Sequence, residues 1–137
     1  MIGLVLVCHG DLGAELVRVA EVIVGKIEGV DAVSIGSVCD VDSSREEIGA
    51  AIKRLNAKDG VLILTDMFGG TPSNLSLSFL DEDRNIEVVT GVNLPMIIKF
   101  ANHRKDKGLK DLASLLRDGG IKSIIVASDM LHQKVKK

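Results

Sequence analysis

Short aliphatic runs alternate with helix-like segments along the chain. Each run is short and is bounded by glycine, aspartate or asparagine, which is typical of buried strands. Because the runs are nearly continuous in valine, isoleucine and leucine, they favour a parallel sheet that is covered on both faces. The predicted strands cover residues 2–7, 32–38, 60–64, 86–89 and 123–127.

The segments between the runs carry apolar residues at spacings of three and four, which is the pattern of amphipathic helices. This spacing predicts a helix over residues 11–24 and a second helix that reaches Leu55. Ser43 and Ser44 each precede a glutamate by three positions, so capping boxes are expected ahead of the second helix.

Three further helices are predicted from start and stop signals. Thr71, followed by proline, reads as the N-cap of a helix that runs to about residue 79. Asn93 opens a helix that reaches about residue 103. The last helix is marked by leucines over 109–116 and is expected to end at Gly119 and Gly120.

The alternation of strands and helices predicts an α/β fold with a doubly wound, mostly parallel sheet and helices on both faces. The expected strand order is 2-1-3-4, with the run at 123–127 as a C-terminal edge strand. The length suits one domain, expected over residues 1–128, followed by a polar C-terminal tail over 129–137.

Composition narrows the function classes. The net charge is −2 and the chain has no Trp or Tyr, which disfavours binding to nucleic acid. The chain starts without the cationic segment of a signal peptide, and no apolar run approaches the roughly 20 residues of a membrane span. Two cysteines do not form a disulfide framework, so we expect a cytoplasmic protein with reduced thiols.

Doubly wound sheets bind ligands at the carboxyl ends of the strands, where the strand order reverses. Here that point lies between strands 1 and 3, beside the loops that begin at Cys8 and Thr65. An imidazole such as His9 can take and release a phosphoryl group if an acceptor holds one ring nitrogen as N–H. Asp66, at the end of the neighbouring strand, is the expected orienting carboxylate.

A glycine-rich turn follows Asp66 and could hold an anion. Gly69 and Gly70 allow the backbone to approach closely, and Thr71 offers a hydroxyl at the predicted start of a helix. Each feature alone is common in proteins without such a site. Their joint occurrence at one sheet end indicates an anion or phosphoryl site, but the spacing alone does not name a reaction.

Three segments of the chain together resemble the mannose-family enzyme IIA domain of the bacterial sugar phosphotransferase system. The resemblance is carried by the strand that ends in Cys8-His9-Gly10, the segment 65–74 with its aspartate, double glycine and Thr-Pro, and the segment 91–96. It extends over nearly the whole chain. It implies a phosphotransferase in which His9 is phosphorylated, Asp66 orients it, and Gly10, Gly69, Gly70 and Thr71 contact the phosphoryl group.

The resemblance also implies partners and assembly. The donor would be the histidine phosphocarrier protein HPr, and the acceptor a IIB protein acting in trans, because the chain ends before any fused IIB region. A homodimer with an exchanged or added last strand is expected, and the membrane IIC and IID components would be involved only indirectly. No metal or cofactor is expected.

Met67 and Phe68 either line the rim that docks the partner or pack at the base of the loop. Ser73 stands where transport members often carry an aromatic residue, which could alter the partner surface.

The same residues disfavour several other functions. A receiver-like domain would need an acidic pair after strand 1, and a nucleotide binder a GxGxxG or GxxxxGK[ST] loop, neither of which is present. The five residues Cys8, His9, Cys39, His103 and His132 match no zinc-binding spacing. A stand-alone regulatory phosphorelay and a non-catalytic interaction domain of the same fold remain as alternatives.

Overall fold

The computed structural model describes residues 1–38, 40–80 and 85–135 of the chain. Within these residues, strands alternate with helices until two final helices follow α4. The elements are β1 (Gly3–His9), α1 (Leu12–Val24), β2 (Val30–Ile35), α2 (Val41–Leu55), β3 (Val61–Thr65), α3 (Thr71–Leu77), β4 (Ile86–Thr90), α4 (Leu94–His103), α5 (Leu109–Lys122) and α6 (Ala127–Val135). None of the described helices is long and apolar enough to cross a membrane.

The four strands form one parallel sheet in the order β2-β1-β3-β4, which confirms the predicted order. Val7 of β1 is paired with Val33 of β2 on one side and with Thr65 of β3 on the other. The chain reverses its direction of travel across the sheet between β1 and β3, so the loops after these two strands diverge and leave a crevice at their carboxyl ends.

The two faces of the sheet are covered by different helices. Leu4 and Leu6 lie in a core with α1, α4 and α5, whereas Val5 and Val7 lie in a second core with α2 and α3. Both faces of β1 and β3 are therefore buried, which explains their nearly continuous apolar sequences. By the alternation of side chains along a strand, His9 follows Val7 on the α3 side of the sheet.

The fifth predicted strand is wrong for the described chain. Residues 124–126 have no regular secondary structure, and α6 begins at Ala127. An aliphatic run becomes a strand only when its backbone pairs with a neighbour, and no described strand pairs with this one. Ile124 and Val126 are 77% and 62% exposed. Helix α6 also occupies most of the segment predicted as a polar tail, apart from residues 136 and 137, which lie outside the described chain.

Helix α5 does not end at Gly119 and Gly120 but continues through both to Lys122. The two glycines are buried where α5 packs on α4, and a Cβ at Gly120 would lie 2.8 Å from the side chain of Met96. Here the glycines permit close packing of two helices instead of ending one of them. Tertiary contact thus overrides a local stop signal.

The structure also corrects two predicted helix starts. Helix α2 begins at Val41, and its N-cap is Asp40, whose carboxylate accepts hydrogen bonds from the Asp42 N–H and the Ser43 hydroxyl. The predicted capping boxes at Ser43 and Ser44 are therefore inside the helix. Helix α3 has Gly70 as its N-cap and Thr71 as its first residue.

The predicted helix start at Asn93 is confirmed, and Asn93 is the N-cap of α4. Its side-chain oxygen accepts a hydrogen bond from the Met96 N–H, and its side-chain amide donates to the carbonyl of Gly120. Because Gly120 belongs to α5, this one side chain both starts α4 and ties the α4 start to α5.

Candidate functional site

His9 and Asp66 meet at the crevice between β1 and β3. His9 is the last residue of β1, and Asp66 directly follows β3. The His9 Nδ1 atom lies 2.7 Å from Asp66 Oδ2, and the His9 backbone N–H donates to the same oxygen at 2.8 Å. The His9 side chain is 49% exposed and that of Asp66 is 12% exposed. The sequence-based expectation that these two residues lie together is confirmed by this geometry.

The environment of Asp66 keeps it ionised. Burial acts to raise the pKa of this carboxyl, but hydrogen bonds from the backbone and ring of His9 and from the Met67 N–H outweigh it, so the pKa lies below its ordinary value. An ionised carboxylate can only accept, so Nδ1 of His9 carries the proton of their shared hydrogen bond. In a neutral ring, Nε2 then presents its lone pair.

Gly70 borders the free side of the His9 ring. A Cβ added at Gly70 would lie 3.1 Å from His9 Cε1 and 3.7 Å from Nε2, so the missing side chain leaves space beside Nε2. Gly69 has a φ of +84°, which favours glycine. In the described chain, the backbone N–H groups of Gly69 and Gly70 donate to no other protein atom. Thr71 is exposed next to them.

Gly10 forms the turn that follows His9, with a φ of +55°. Its N–H donates to the carbonyl of Ile35 at 2.9 Å, and its own carbonyl accepts a hydrogen bond from the Ser34 hydroxyl at 2.6 Å. The N–H of Gly10 is therefore engaged within the protein. Sequence reasoning missed Ser34, since a serine near the end of an edge strand carries no local signal.

The exposure of Met67, Phe68 and Ser73 decides which of them could contact a partner protein. Met67 and Phe68 are 57% and 75% exposed, so they do not pack at the base of the loop. Ser73 is fully buried in α3 and does not belong to the surface that a partner could contact. The expectation that Ser73 alters the partner surface is therefore wrong.

Of the other described cysteine and histidine side chains, Cys8 and His103 do not join His9. Burial, followed by the nearby charge of Asp66, raises the pKa of the Cys8 thiol to about 12, and this side chain lies in the core on the opposite face of the sheet. His103 is the last residue of α4. Over the described ranges, no three His, Cys, Asp or Glu side chains are grouped as a metal site would require. Cys39 and the side chain of His132 lie outside the described residues.

Comparison with known proteins gives one family. The EIIA-man family model, described as "PTS system fructose IIA component", matches residues 3–116. The chain is 33% identical over 136 residues to the fructose-specific EIIA component of Bacillus subtilis, covering 99% of this chain and 92% of that protein. It is 30% identical over 105 residues to the mannose-specific EIIAB component of Escherichia coli, covering 77% of this chain and 32% of that protein.

A solved structure agrees with these relatives. The phosphotransferase system component EIIA from Streptococcus agalactiae superposes with a TM-score of 0.85 at 25% identity, covering 94% of this chain and 99% of that one. The matched residues 3–116 include all four strands and the loops that build the His9 crevice. The chain therefore belongs to the mannose-type EIIA family of the sugar phosphotransferase system, whose members are phosphotransferases that carry a phosphohistidine.

Proposed function

We propose that Nε2 of His9 accepts a phosphoryl group from phospho-HPr and passes it to a separate IIB protein. One observation carries the proposal: the backbone N–H and the ring Nδ1 of His9 both bind the same oxygen of Asp66. This arrangement orients the ring and leaves Nε2 as the nucleophile. The half-exposed position of His9 lets another protein bring its own histidine into line with that nitrogen.

The transfer step conserves atoms and charge. The lone pair of His9 Nε2 attacks phosphorus, a new N–P bond forms, and the N–P bond to the donor imidazole breaks, returning a neutral histidine to the donor. As the new bond forms, positive charge appears on the His9 ring. The carboxylate of Asp66 stabilises that charge through the Nδ1–H bond, so no metal or cofactor is needed. Transfer to IIB is the reverse step with a different imidazole.

The phosphoryl oxygens need hydrogen-bond donors, and the turn before α3 offers them. The N–H groups of Gly69 and Gly70 and the hydroxyl of Thr71 are the proposed donors. Charge-assisted hydrogen bonds of this kind are roughly twice as strong as neutral ones. Gly10, whose N–H is already bound to Ile35, supports the site through its turn.

The partner surface is proposed around the same crevice. Met67 and Phe68 stand exposed beside Asp66 and would contact HPr and IIB in turn. The relatives named above act in fructose and mannose systems, and we propose a role in sugar uptake in which the membrane components IIC and IID select the sugar. A cytoplasmic location and a single domain over residues 1–128 belong to the same proposal. A regulatory relay that uses the same phosphohistidine is the alternative.

A homodimer is also part of the proposal. The C-terminal segment carries a group of exposed apolar side chains, which a second copy of the chain would cover. These side chains, each at least 55% exposed, are Ile121, Ile124, Ile125, Val126 and Leu131. Soluble monomers seldom leave so many large apolar side chains exposed in one segment.

Phosphorylation with purified components tests the function. The protein is mixed with phosphoenolpyruvate, enzyme I and HPr, and its intact mass is measured before and after brief acid treatment. We expect one acid-labile phosphoryl group on the wild type and on His103→Ala, and none on His9→Ala. A wild-type protein that gains no phosphoryl group from any HPr tested would favour the non-catalytic interaction domain. An adduct that persists in His9→Ala would show that a different residue is phosphorylated.

A further inference from the structure

Ser34 is joined to the phosphoryl-accepting histidine through one glycine. It lies on β2, opposite Cys8 of β1. Its hydroxyl donates to the carbonyl of Gly10 at 2.6 Å, and the next residue, Ile35, accepts the N–H of Gly10 at 2.9 Å. The glycine that follows His9 is thus held on both of its backbone polar groups by the end of β2.

The turn at Gly10 needs such support because of its conformation. Its φ of +55° lies in the left-handed region, where a glycine can interconvert with other conformations at little steric cost. The hydrogen bond that the Ser34 hydroxyl donates to the Gly10 carbonyl selects one orientation of the peptide after Gly10. It does so at the point where the chain leaves β1 for α1, one residue from the reactive side chain.

The other side of His9 is held by Asp66. The backbone N–H and the ring of His9 reach the same carboxylate oxygen only if the His9 backbone keeps its position relative to β3. The His9–Gly10 turn is therefore hydrogen-bonded on both sides. Ser34 and Ile35 of β2 bind Gly10, and Asp66, which follows β3, binds His9. A shift of this turn would change both hydrogen bonds to Asp66 together.

We propose that Ser34 is a positioning residue for phosphoryl transfer: its bond to the Gly10 carbonyl holds the turn in which Nδ1 of His9 donates to Asp66 and Nε2 stays free. This inference rests on the proposed function, since it assigns a part in the reaction of His9. It predicts that loss of the Ser34 hydroxyl lowers the rate of the transfer step and leaves partner binding unchanged.

A matched pair of variants isolates the hydroxyl. Ser34→Thr and Ser34→Val have nearly the same shape and strand preference but differ in one hydroxyl, and Ser37→Ala removes an exposed serine from the following loop. Phosphoryl transfer from phospho-HPr is followed by rapid quench over a range of HPr concentrations. We expect Ser34→Val to lower kcat about two- to tenfold relative to Ser34→Thr, the effect of one net hydrogen bond. KM should stay the same, and Ser37→Ala should match the wild type.

Nitrogen NMR of the unphosphorylated protein gives a readout that general loss of stability would not produce. We expect the wild type and Ser34→Thr to show His9 as the Nδ1–H tautomer, and Ser34→Val to show a mixture of tautomers with an unchanged melting temperature. Equal kcat values and equal His9 spectra for the Thr and Val variants would overturn the proposal. Because the spectra need no phosphoryl donor, they test Ser34 even if the wild type proves not to be phosphorylated, an outcome that would instead remove the proposed function.

Discussion

At the scale of single residues, one carboxylate oxygen sets the chemistry of His9. Asp66 Oδ2 accepts both the backbone and the ring N–H of His9, and Oδ1 accepts the N–H of Met67. These hydrogen bonds lower the pKa of Asp66 despite its burial. A neutral amide in the same place would keep the shape but could present an N–H group to the ring, which favours the opposite tautomer.

We therefore expect Asp66→Asn to slow phosphoryl transfer to His9 by roughly 10²–10⁴, the range for positioned proton-handling groups. The rate is measured by rapid quench with phospho-HPr at saturating concentration. Asp40→Asn, which removes a carboxylate at the start of α2, is the matched control and should transfer at a rate within about twofold of the wild type. A rate for Asp66→Asn close to that of the control would contradict the orienting role.

The pH dependence of stability checks the same carboxylate independently. Because folding lowers the pKa of Asp66 below its ordinary value of 3.8, its ionised form stabilises the native state at pH values above 3.8. That contribution is lost as the pH falls through the lowered pKa. In urea denaturation series at several pH values, the unfolding free energy of the wild type should therefore fall relative to that of Asp66→Asn as the pH drops below 3.8.

The sequence alone indicates His9 and Asp66 because both end strands that flank the reversal of the sheet. It does not indicate Ser34, which contacts Gly10 from the neighbouring strand through a hydrogen bond that depends on the register of β1 and β2. The family resemblance implies that Gly10 contacts the phosphoryl group, but that its N–H donates to the Ile35 carbonyl is visible only in the structure. Residue identity and spacing predict which groups could react, whereas cross-strand hydrogen bonds require the structure.

At the scale of elements, the central strands follow from their sequences more reliably than the helix ends do. The four apolar runs predicted as strands correspond to β1 to β4 in the structure. Helices cover both faces of the central strands β1 and β3, and this burial requires the nearly continuous apolar sequence from which the strands were predicted. The fifth run and the stop at Gly119 and Gly120 were predicted from local pattern only. At both places, what the segment touches decides its conformation, and the local sequence does not contain that information.

The two glycines of α5 give a test of this explanation. A Cβ at Gly120 would meet buried Met96 at 2.8 Å, whereas a Cβ at Gly119 would meet the flexible end of Lys99, a side chain that can move toward solvent. We expect Gly120→Ala to lower the unfolding free energy by about 1–3 kcal/mol, as overpacking does. Gly119→Ala should be neutral or stabilising by up to about 1 kcal/mol, since alanine favours the helix.

Urea denaturation of both variants gives this comparison directly. Equal destabilisation by the two substitutions would contradict the assignment of Gly120 to the close contact between α4 and α5. A larger loss for Gly119→Ala would show that Lys99 is not free to move. Gly120→Ala should also weaken the tie between Asn93 and the Gly120 carbonyl, because a displaced α5 would lengthen that 3.1 Å hydrogen bond.

At the scale of the whole molecule, the proposed site and the exposed C-terminal segment belong to different parts of the fold. The crevice is built by the ends of β1 and β3 and by the turn before α3 of one chain. The exposed apolar side chains follow the end of α5 and continue into α6. Phosphoryl acceptance by His9 and assembly through the C-terminal segment should therefore respond separately to substitution.

A charge placed in the exposed C-terminal segment tests whether the protein is a dimer. Ile125 is 55% exposed between α5 and α6, and a charge placed there would have to be buried if a second copy covers the segment. Burying an unpaired carboxylate costs several kcal/mol, so we expect Ile125→Asp to convert the dimer to a monomer in sedimentation velocity experiments. Val22→Asp places the same charge at a 77% exposed position on α1 and should leave the dimer unchanged. A monomeric wild type, or equal sedimentation of the two variants, would contradict dimerisation through this segment. An Ile125→Asp monomer that still accepts a phosphoryl group would show that each chain carries a complete site.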